Sequence, residues 1–332
     1  MNLIRVSTVK NQAARILREK SPQFRKTVLL HGAVSMGFLL ITALVGFFLN
    51  RAVADNQGLS AMGNTAILRT AQVMLTLIGN ILLPFWEIGV LYTAVRAVRG
   101  ESTEFPWLAR GFHRLGLVIR YFLLWFVILM AVGLACSNVI MAMTMLLPAP
   151  RAISDALSSV DPAAYTDFTL MFEDILKALS QVPKTQLLLY FVPMGILYVA
   201  AYITLLIMLS YRFKMSRYLL LDETPMRAKK TLGTSNRITK GERGNLFKLD
   251  LSFWWYYLLQ IVVAAIVYLP DILSAAGVTL PVDANTANLL AYVVYCVFSL
   301  LLAWSAGAYY QTTIACAYET LKPLVNENSN NP

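Results

Sequence analysis

Six stretches of this chain stay apolar for longer than the core of a soluble domain can use: roughly residues 27–49, 68–95, 116–147, 186–211, 251–269 and 287–317. A hydrocarbon layer of ~30 Å is crossed by about 20 apolar residues in a helix. Inside lipid every backbone N–H and C=O must be satisfied within the protein, so only helices and closed barrels can cross. A barrel strand alternates apolar and polar residues with a period of two, and these runs do not. They therefore predict an all-α, polytopic membrane protein, a bundle of six transmembrane helices filling residues 27–320. The composition agrees, with 58% hydrophobic and only 14% charged residues against about 25% charged in ordinary globular chains.

A net charge of +10 could suggest nucleic acid, but its distribution points to a membrane surface. The basic residues gather in residues 1–26, 96–120 and 212–248, while the other loops hold only Arg51, Arg151, Lys177 and Lys184. Short loops rich in Lys and Arg stay in the cytoplasm, so both termini and the two basic loops are expected inside a bacterial plasma membrane. Segment 148–184 carries Asp155, Asp161, Asp167, Glu173 and Asp174 against three bases and is expected outside. Cys136, Cys296 and Cys316 all lie in spans and offer neither a disulfide framework nor metal-ligand spacing.

Ahead of the first span, residues 1–26 place Ile4, Val6, Val9, Ala13, Ile16 and Leu17 among Arg5, Lys10, Arg15, Arg18 and Lys20. This pattern predicts an amphipathic helix lying at the interface on anionic lipid, with a disordered basic tail as the alternative. Ala52-Val53-Ala54 mimics a signal-peptidase site, but the run before it is longer than an apolar leader core of 7–15 residues, so the first helix is expected to remain. Between the second and third spans, Gly100 and Pro106 break the helix, and Trp107 and Phe112 are candidates for the interface. In segment 148–184, Asp161 and Pro162 can start a helix, and Tyr165, Phe168, Phe172, Ile175, Leu176 and Leu179 recur at helical spacing. In segment 212–248, Thr224 and Pro225 restart a basic helix that Gly233 weakens and that Gly241 and Gly244 end. Phe253, Trp254, Trp255, Tyr256 and Tyr257 then enter the fifth span as an aromatic belt. Arg99-Gly100-Glu101 and Lys240-Gly241-Glu242 repeat one short pattern before the third and fifth spans.

The second span carries the one carboxylate placed deep in a span, Glu87. At about 100° per residue, Arg69, Gln72, Thr76, Asn80 and Glu87 fall within an arc of about 80°. An ionisable group at this depth costs at least ~2.5 kcal/mol, so it should face protein or water. Glu87 lies nine residues from Arg96 and Arg120 six from Arg114, depths of about 13 and 9 Å, and a short loop makes the two helices neighbours. Glu87 is thus either a proton, cation or substrate site in a seam with Gln72, Thr76 and Asn80, or half of an ion pair with Arg120. Pro84, one turn earlier, removes a backbone bond and frees the carbonyl near Asn80.

Four stretches resemble the uncharacterised bacterial integral membrane proteins grouped as domain of unknown function 975 (DUF975). They are KNQAARILREKSPQFRKTVLLH; LLPFWEIGVLY with VRGESTEFPWLARGF; YRFKMSRYLLLDETP with TSNRITKGERGNLFKLDLSFWW; and AYYQTTIACAYETL. The specific part runs from Leu246 to Trp255. Trp254 stands where a smaller residue is usual, and segment 148–184 is longer than usual. The resemblance implies a six-helix bacterial membrane protein and supplies no catalytic residues.

Nothing in the sequence points to catalysis. His31 and His113 stand apart from any nucleophile or ligand partner, and Met141, Met143 and Met145 do not share one helical face. Phosphate-binding, nucleophile-elbow, zinc-helix and dinucleotide motifs do not occur. No enzyme activity, metal, cofactor or nucleic-acid partner is expected. The sequence favours a scaffold or accessory protein whose Arg5, Lys10, Arg15, Arg18, Lys229, Lys230, Arg237 and Lys240 touch anionic headgroups, with a membrane-protein partner or a second copy. The alternative is a small transporter or channel using the seam at Glu87.

Overall fold

The computed structural model describes residues 3–20, 23–55, 59–146, 151–160, 168–222, 226–278 and 281–324. Asp161, Pro162, Tyr165, Asp167, Thr224 and Pro225, and the side chains of Phe168, Met143 and Met145, lie outside the described residues. Those described form helices and turns, with no strand among them. Among the described residues six segments are long and apolar enough to cross a membrane: Gln23–Arg51, Ala66–Arg99, Leu115–Val139, Lys184–Leu221, Trp254–Ala275 and Ala284–Leu321. Their large side chains point outward: Leu189, Ile67 and Ile261 are each more than half exposed. A soluble protein rarely exposes contiguous apolar surface on that scale. The chain is a polytopic, all-α membrane protein.

It divides into two compact units, residues 1–121 with 211–332, and residues 122–210. In the first, α1 (Val6–Arg15) runs through a π-helical turn (Ile16–Lys20) towards α2 (Gln23–Asp55), which packs along α3 (Leu59–Arg99). After α3 the chain makes a 3-10 turn (Phe105–Trp107) and α4 (Arg110–His113) before α5 (Leu115–Leu146) begins. The second unit holds the remainder of α5, then α6 (Arg151–Ser158), α7 (Phe168–Ser180) and α8 (Lys184–Phe213) up to residue 210. There α6 packs on α7, with Ile153 buried and Phe172 and Leu176 about half exposed. The helix expected in segment 148–184 is present as α7, and α6 was not foreseen.

The chain returns to the first unit through α9 (Ser216–Leu221), α10 (Ala228–Ile238), α11 (Arg243–Leu251) and α12 (Trp254–Ala265). After a 3-10 turn come α13 (Leu269–Ala275) and α14 (Ala284–Leu302), and then a π-helical turn (Ala303–Gly307) leads into α15 (Ala308–Leu321). Gly100 and Gly241 both have positive φ, +76° and +91°, so the two basic-Gly-Glu turns share the left-handed glycine that lets a helix stop. Gly244, expected to end a helix, instead lies in the first turn of α11, because the reversal is already complete at Gly241.

The main core lies where α1 meets α15, α11 and the end of α3. Ile4, Val9, Ala13, Ile16 and Leu17 are almost wholly buried with Val90, Leu91 and Ala94 of α3, Leu246 and Leu249 of α11, and Ala315 to Tyr318 of α15. Each large aliphatic side chain removed from water in this way stabilises by about 1.5–3 kcal/mol. The amphipathic N-terminal helix expected from the sequence is present as α1, and its apolar face is covered by protein. Glu242, only 4% exposed, holds the segment in place by accepting from the backbone N–H of Leu3 (2.8 Å) and Ile4 (3.3 Å).

Polar groups join the helix ends at this core. Asp222, 7% exposed, accepts from Arg99 (2.9 Å), from the Tyr318 hydroxyl (2.6 Å) and from Lys322 (3.1 Å). Arg99 also donates to Glu319, tying α3, α9 and α15 together. Asp250 accepts from the hydroxyls of Tyr211 and Tyr310 and pairs with Lys214. The aromatic belt is split: Phe253 and Tyr256 turn inward onto Tyr310, while Trp254, Trp255 and Tyr257 stay exposed.

Candidate functional site

Glu87 sits where α3 is gripped by the loop that follows it. A Cβ on Gly89 would collide with the carbonyl oxygen of Leu108, and one on Gly111 with that of Phe85. Only glycine allows backbones this close, and the two contacts press α4 and its preceding turn against α3. Phe112 stacks on Phe85 at 5.6 Å and meets Trp86 edge-on at 5.8 Å. Trp107 is held in place, with the Arg96 guanidinium 3.7 Å above its ring and its indole N–H donating to Ser102.

Arg217 Nη1 donates to Glu87 Oε1 at 2.7 Å. α8 stops at Phe213 and α9 starts at Ser216, and the break between them brings Arg217 to α3. Ser216 is fully buried, donates to the carbonyl of Phe213 and shares a 2.7 Å hydrogen bond with the Tyr121 hydroxyl. Tyr121 also hydrogen bonds Arg217, so α3, α5 and α9 meet through one polar chain. Arg120, the partner expected from the sequence, is exposed and makes no ion pair among the described residues. The neighbour Tyr121 takes the inward position instead, and the arginine that reaches Glu87 comes from a segment expected to be a basic cytoplasmic loop.

The rest of the expected seam does not converge on Glu87. Arg69, Thr76 and Asn80 are exposed, with the Thr76 hydroxyl bonded back to the carbonyl of Gln72. Gln72 is half-buried, about 22 Å along the helix from Glu87, and lines a separate half-open cleft of about 260 Å³. That cleft also takes Asn50, Asp271, Asn285, Asn288 and Tyr292. Gly46 leaves room for the Gln72 carboxamide. The side-chain Oδ1 of Asn288 is buried there with no partner among the described residues. The continuous polar stripe of the sequence is thus two places, one polar cleft and one ion pair.

Of the residues expected to touch headgroups, Arg5, Arg15, Arg18, Lys229, Lys230, Arg237 and Lys240 are exposed. Arg15 is engaged by Glu19 at 2.8 Å, one helical turn away. Lys10 turns inward: its ammonium donates to the Ser252 carbonyl (3.4 Å) and lies 4.5 Å from the Phe253 ring centroid. Beneath these charges, α10 buries Leu232 and Ile238, and α11 buries Leu246 and Leu249. The exposed charges therefore stand on a folded support.

Arg217, Tyr121, Ser216, Asp222 and Arg25 were not singled out in the sequence. The one signal for Arg217 was the apolar Tyr-Leu-Leu-Leu run behind it, which is buried as Tyr218 to Leu221. Among the described residues no cluster of His, Cys, Asp and Glu could hold a metal ion. No protein-family profile, curated protein or solved structure matches this chain.

Proposed function

We propose that this protein is a membrane scaffold or accessory protein, without enzymatic activity, that presents a prefolded basic surface to the anionic cytoplasmic leaflet of a bacterial plasma membrane. In this reading both termini are cytoplasmic and the partners are anionic lipid and other membrane proteins or a second copy. It also makes the chain a member of the DUF975 family it resembles. Leu246, Leu249 and Phe253, all fully buried, support that membership, because the most specific stretch of the resemblance supplies core residues.

The observation that carries the proposal is how the helices at the basic end use their two faces. Their apolar sides are buried against one another, and Lys229, Lys230, Arg237 and Lys240 remain exposed together with Arg5 and Arg18. A peripheral helix binds by inserting apolar surface; here that surface is occupied, and what remains for the bilayer is charge. Each Lys or Arg close to an anionic leaflet contributes ~1 kcal/mol, within a Debye length of about 8–10 Å. Melting of the full chain in nanodiscs of phosphatidylcholine, with and without phosphatidylglycerol, tests this. Anionic lipid should raise Tm, high salt should shrink the gain, and K229Q/K230Q/R237Q/K240Q should lose most of it. Equal melting in both lipids would overturn the proposal.

The cleft at Gln72 favours a second reading, a small transporter or channel for a polar solute. Flux into proteoliposomes that Gln72→Leu abolishes and K229Q/K230Q/R237Q/K240Q leaves intact would select it.

A further inference from the structure

A second groove lies at the opposite end of the first unit from the Gln72 cleft. It has a volume of about 560 Å³, within the usual range of about 300–1,000 Å³ for ligand pockets. Its lining is both basic and apolar: Arg18 and Arg25 share it with Leu17, Leu259, Leu302 and Trp255. Neither arginine makes an ion pair among the described residues, and Arg25 Nε is buried without a partner. A guanidinium placed so needs an anion.

The groove sits at a defined depth. Arg25 is two residues into the first span, which starts at Gln23, and Trp255 is the second residue of the span that starts at Trp254. Both therefore lie at the ends of helices long and apolar enough to cross a membrane, the level at which headgroups would stand. One turn deeper come Leu259 on α12 and, on α2, Leu29, which shares a face with Arg25. Leu29 lines an adjoining apolar cleft of about 300 Å³ with Val297, Leu300, Leu301 and Trp304. Between the two clefts runs the π-helical turn Ala303–Gly307, whose small residues Ser305 and Ala306 open the groove wall. Such π turns within helices are frequent at functional sites.

We infer that this groove is a binding site for one anionic phospholipid, its phosphate held by Arg18 and Arg25 and its acyl chains in the clefts beside Leu259 and Leu29. The charge selects the class: two unpaired guanidiniums in the lining suit an anionic headgroup. The apolar walls suit hydrocarbon chains rather than a free anion. The site rests on the membrane placement proposed above; it shares Arg18 with the exposed basic surface but differs from the patch of Lys229, Lys230, Arg237 and Lys240, which holds lipid by diffuse charge and not in a cavity.

Native mass spectrometry of the full chain from detergent, titrated with phosphatidylglycerol or with phosphatidylcholine of the same chains, tests it. The wild-type protein should retain one phosphatidylglycerol in preference to phosphatidylcholine. R18Q/R25Q should weaken that retention about thirtyfold, the loss of two charges each worth a factor of about five. Leu302→Trp, which fills the groove and keeps both arginines, should also remove the bound lipid. K229Q/K230Q/R237Q/K240Q should leave it in place, so loss of the surface effect and loss of the groove are separate results. Equal retention of the two lipids by the wild-type protein, or displacement of phosphatidylglycerol by inorganic phosphate at equal concentration, would overturn the assignment.

Discussion

Glu87 shows how a single ionisable side chain in a span acquires its meaning from its partner. Its side chain is 44% exposed and that of Arg217 is 39% exposed, so the pair is screened and its net worth is of the order of an exposed ion pair, about 1 kcal/mol. Glu87→Gln should lower stability by about that much, and adding Arg217→Gln should recover most of the loss, because the second change removes the cation left unpaired. Arg120→Gln should stay within ~0.5 kcal/mol of wild type. Thermal melting of wild type, Glu87→Gln, Arg217→Gln, their double variant and Arg120→Gln in one detergent checks this, and strictly additive single effects would show that the two groups do not interact. A different carboxylate sets the pH response at the far end of the bundle. Asp283 caps α14 by accepting from the hydroxyl (2.7 Å) and backbone N–H (3.1 Å) of Thr286. Those bonds, the hydroxyl first, hold its carboxyl below the usual range. A depressed folded-state value means that the contribution is complete above the unfolded-state carboxylate value and is lost as pH falls through the folded-state one. Amide exchange in the first turn of α14, corrected for its intrinsic rate, should therefore accelerate in that acidic window, and Asp283→Ala should abolish the pH dependence.

At the scale of elements, two glycines inside helices make opposite demands. Gly89 faces the Leu108 carbonyl with no room for a methyl group, whereas nothing lies near the position a Cβ would take on Gly233 in α10. Gly89→Ala should cost about 1–3 kcal/mol by forcing the loop off α3. Gly233→Ala should stabilise by about 0.5–1 kcal/mol through the lost freedom of the unfolded chain. Melting temperatures of the two variants should move in opposite directions. The sequence carried the helices themselves, since the period of apolar residues marks them whatever they pack against. It did not carry the use of their faces. The apolar stripe Ile4, Val9, Ala13, Ile16 and Leu17 reads the same whether lipid or α15 covers it, and the gripping role of Gly89 depends on Leu108, in a loop that folds back from nineteen residues away.

For the molecule as a whole, the number of spans and the placement of charge make one testable statement about topology. Six spans among the described residues, an even number, would put α1 and the end of α15 on one side of a membrane, and α1 and α15 are in contact. Single cysteines in a Cys-free background at Ser7 and Thr320 should react with a membrane-impermeant thiol reagent only when the cytoplasmic side is opened, and one at Ser158 should react in intact cells. Labelling of all three from the same side would break the topology.

Taken alone, the sequence determined the solvent of this protein, the count of its spans and which end is basic, because these follow from the length of apolar runs and the position of charges along the chain. Tertiary structure alone decided that Glu87 meets Arg217, that the N-terminal helix spends its apolar face on protein, and that Arg18 and Arg25 stand at one groove. Each of these depends on side chains remote in sequence approaching within a few ångströms, and hydrophobic burial drives that approach without regard to distance along the chain. Periodicity records which residues turn inward; the packing of helices settles what they find there.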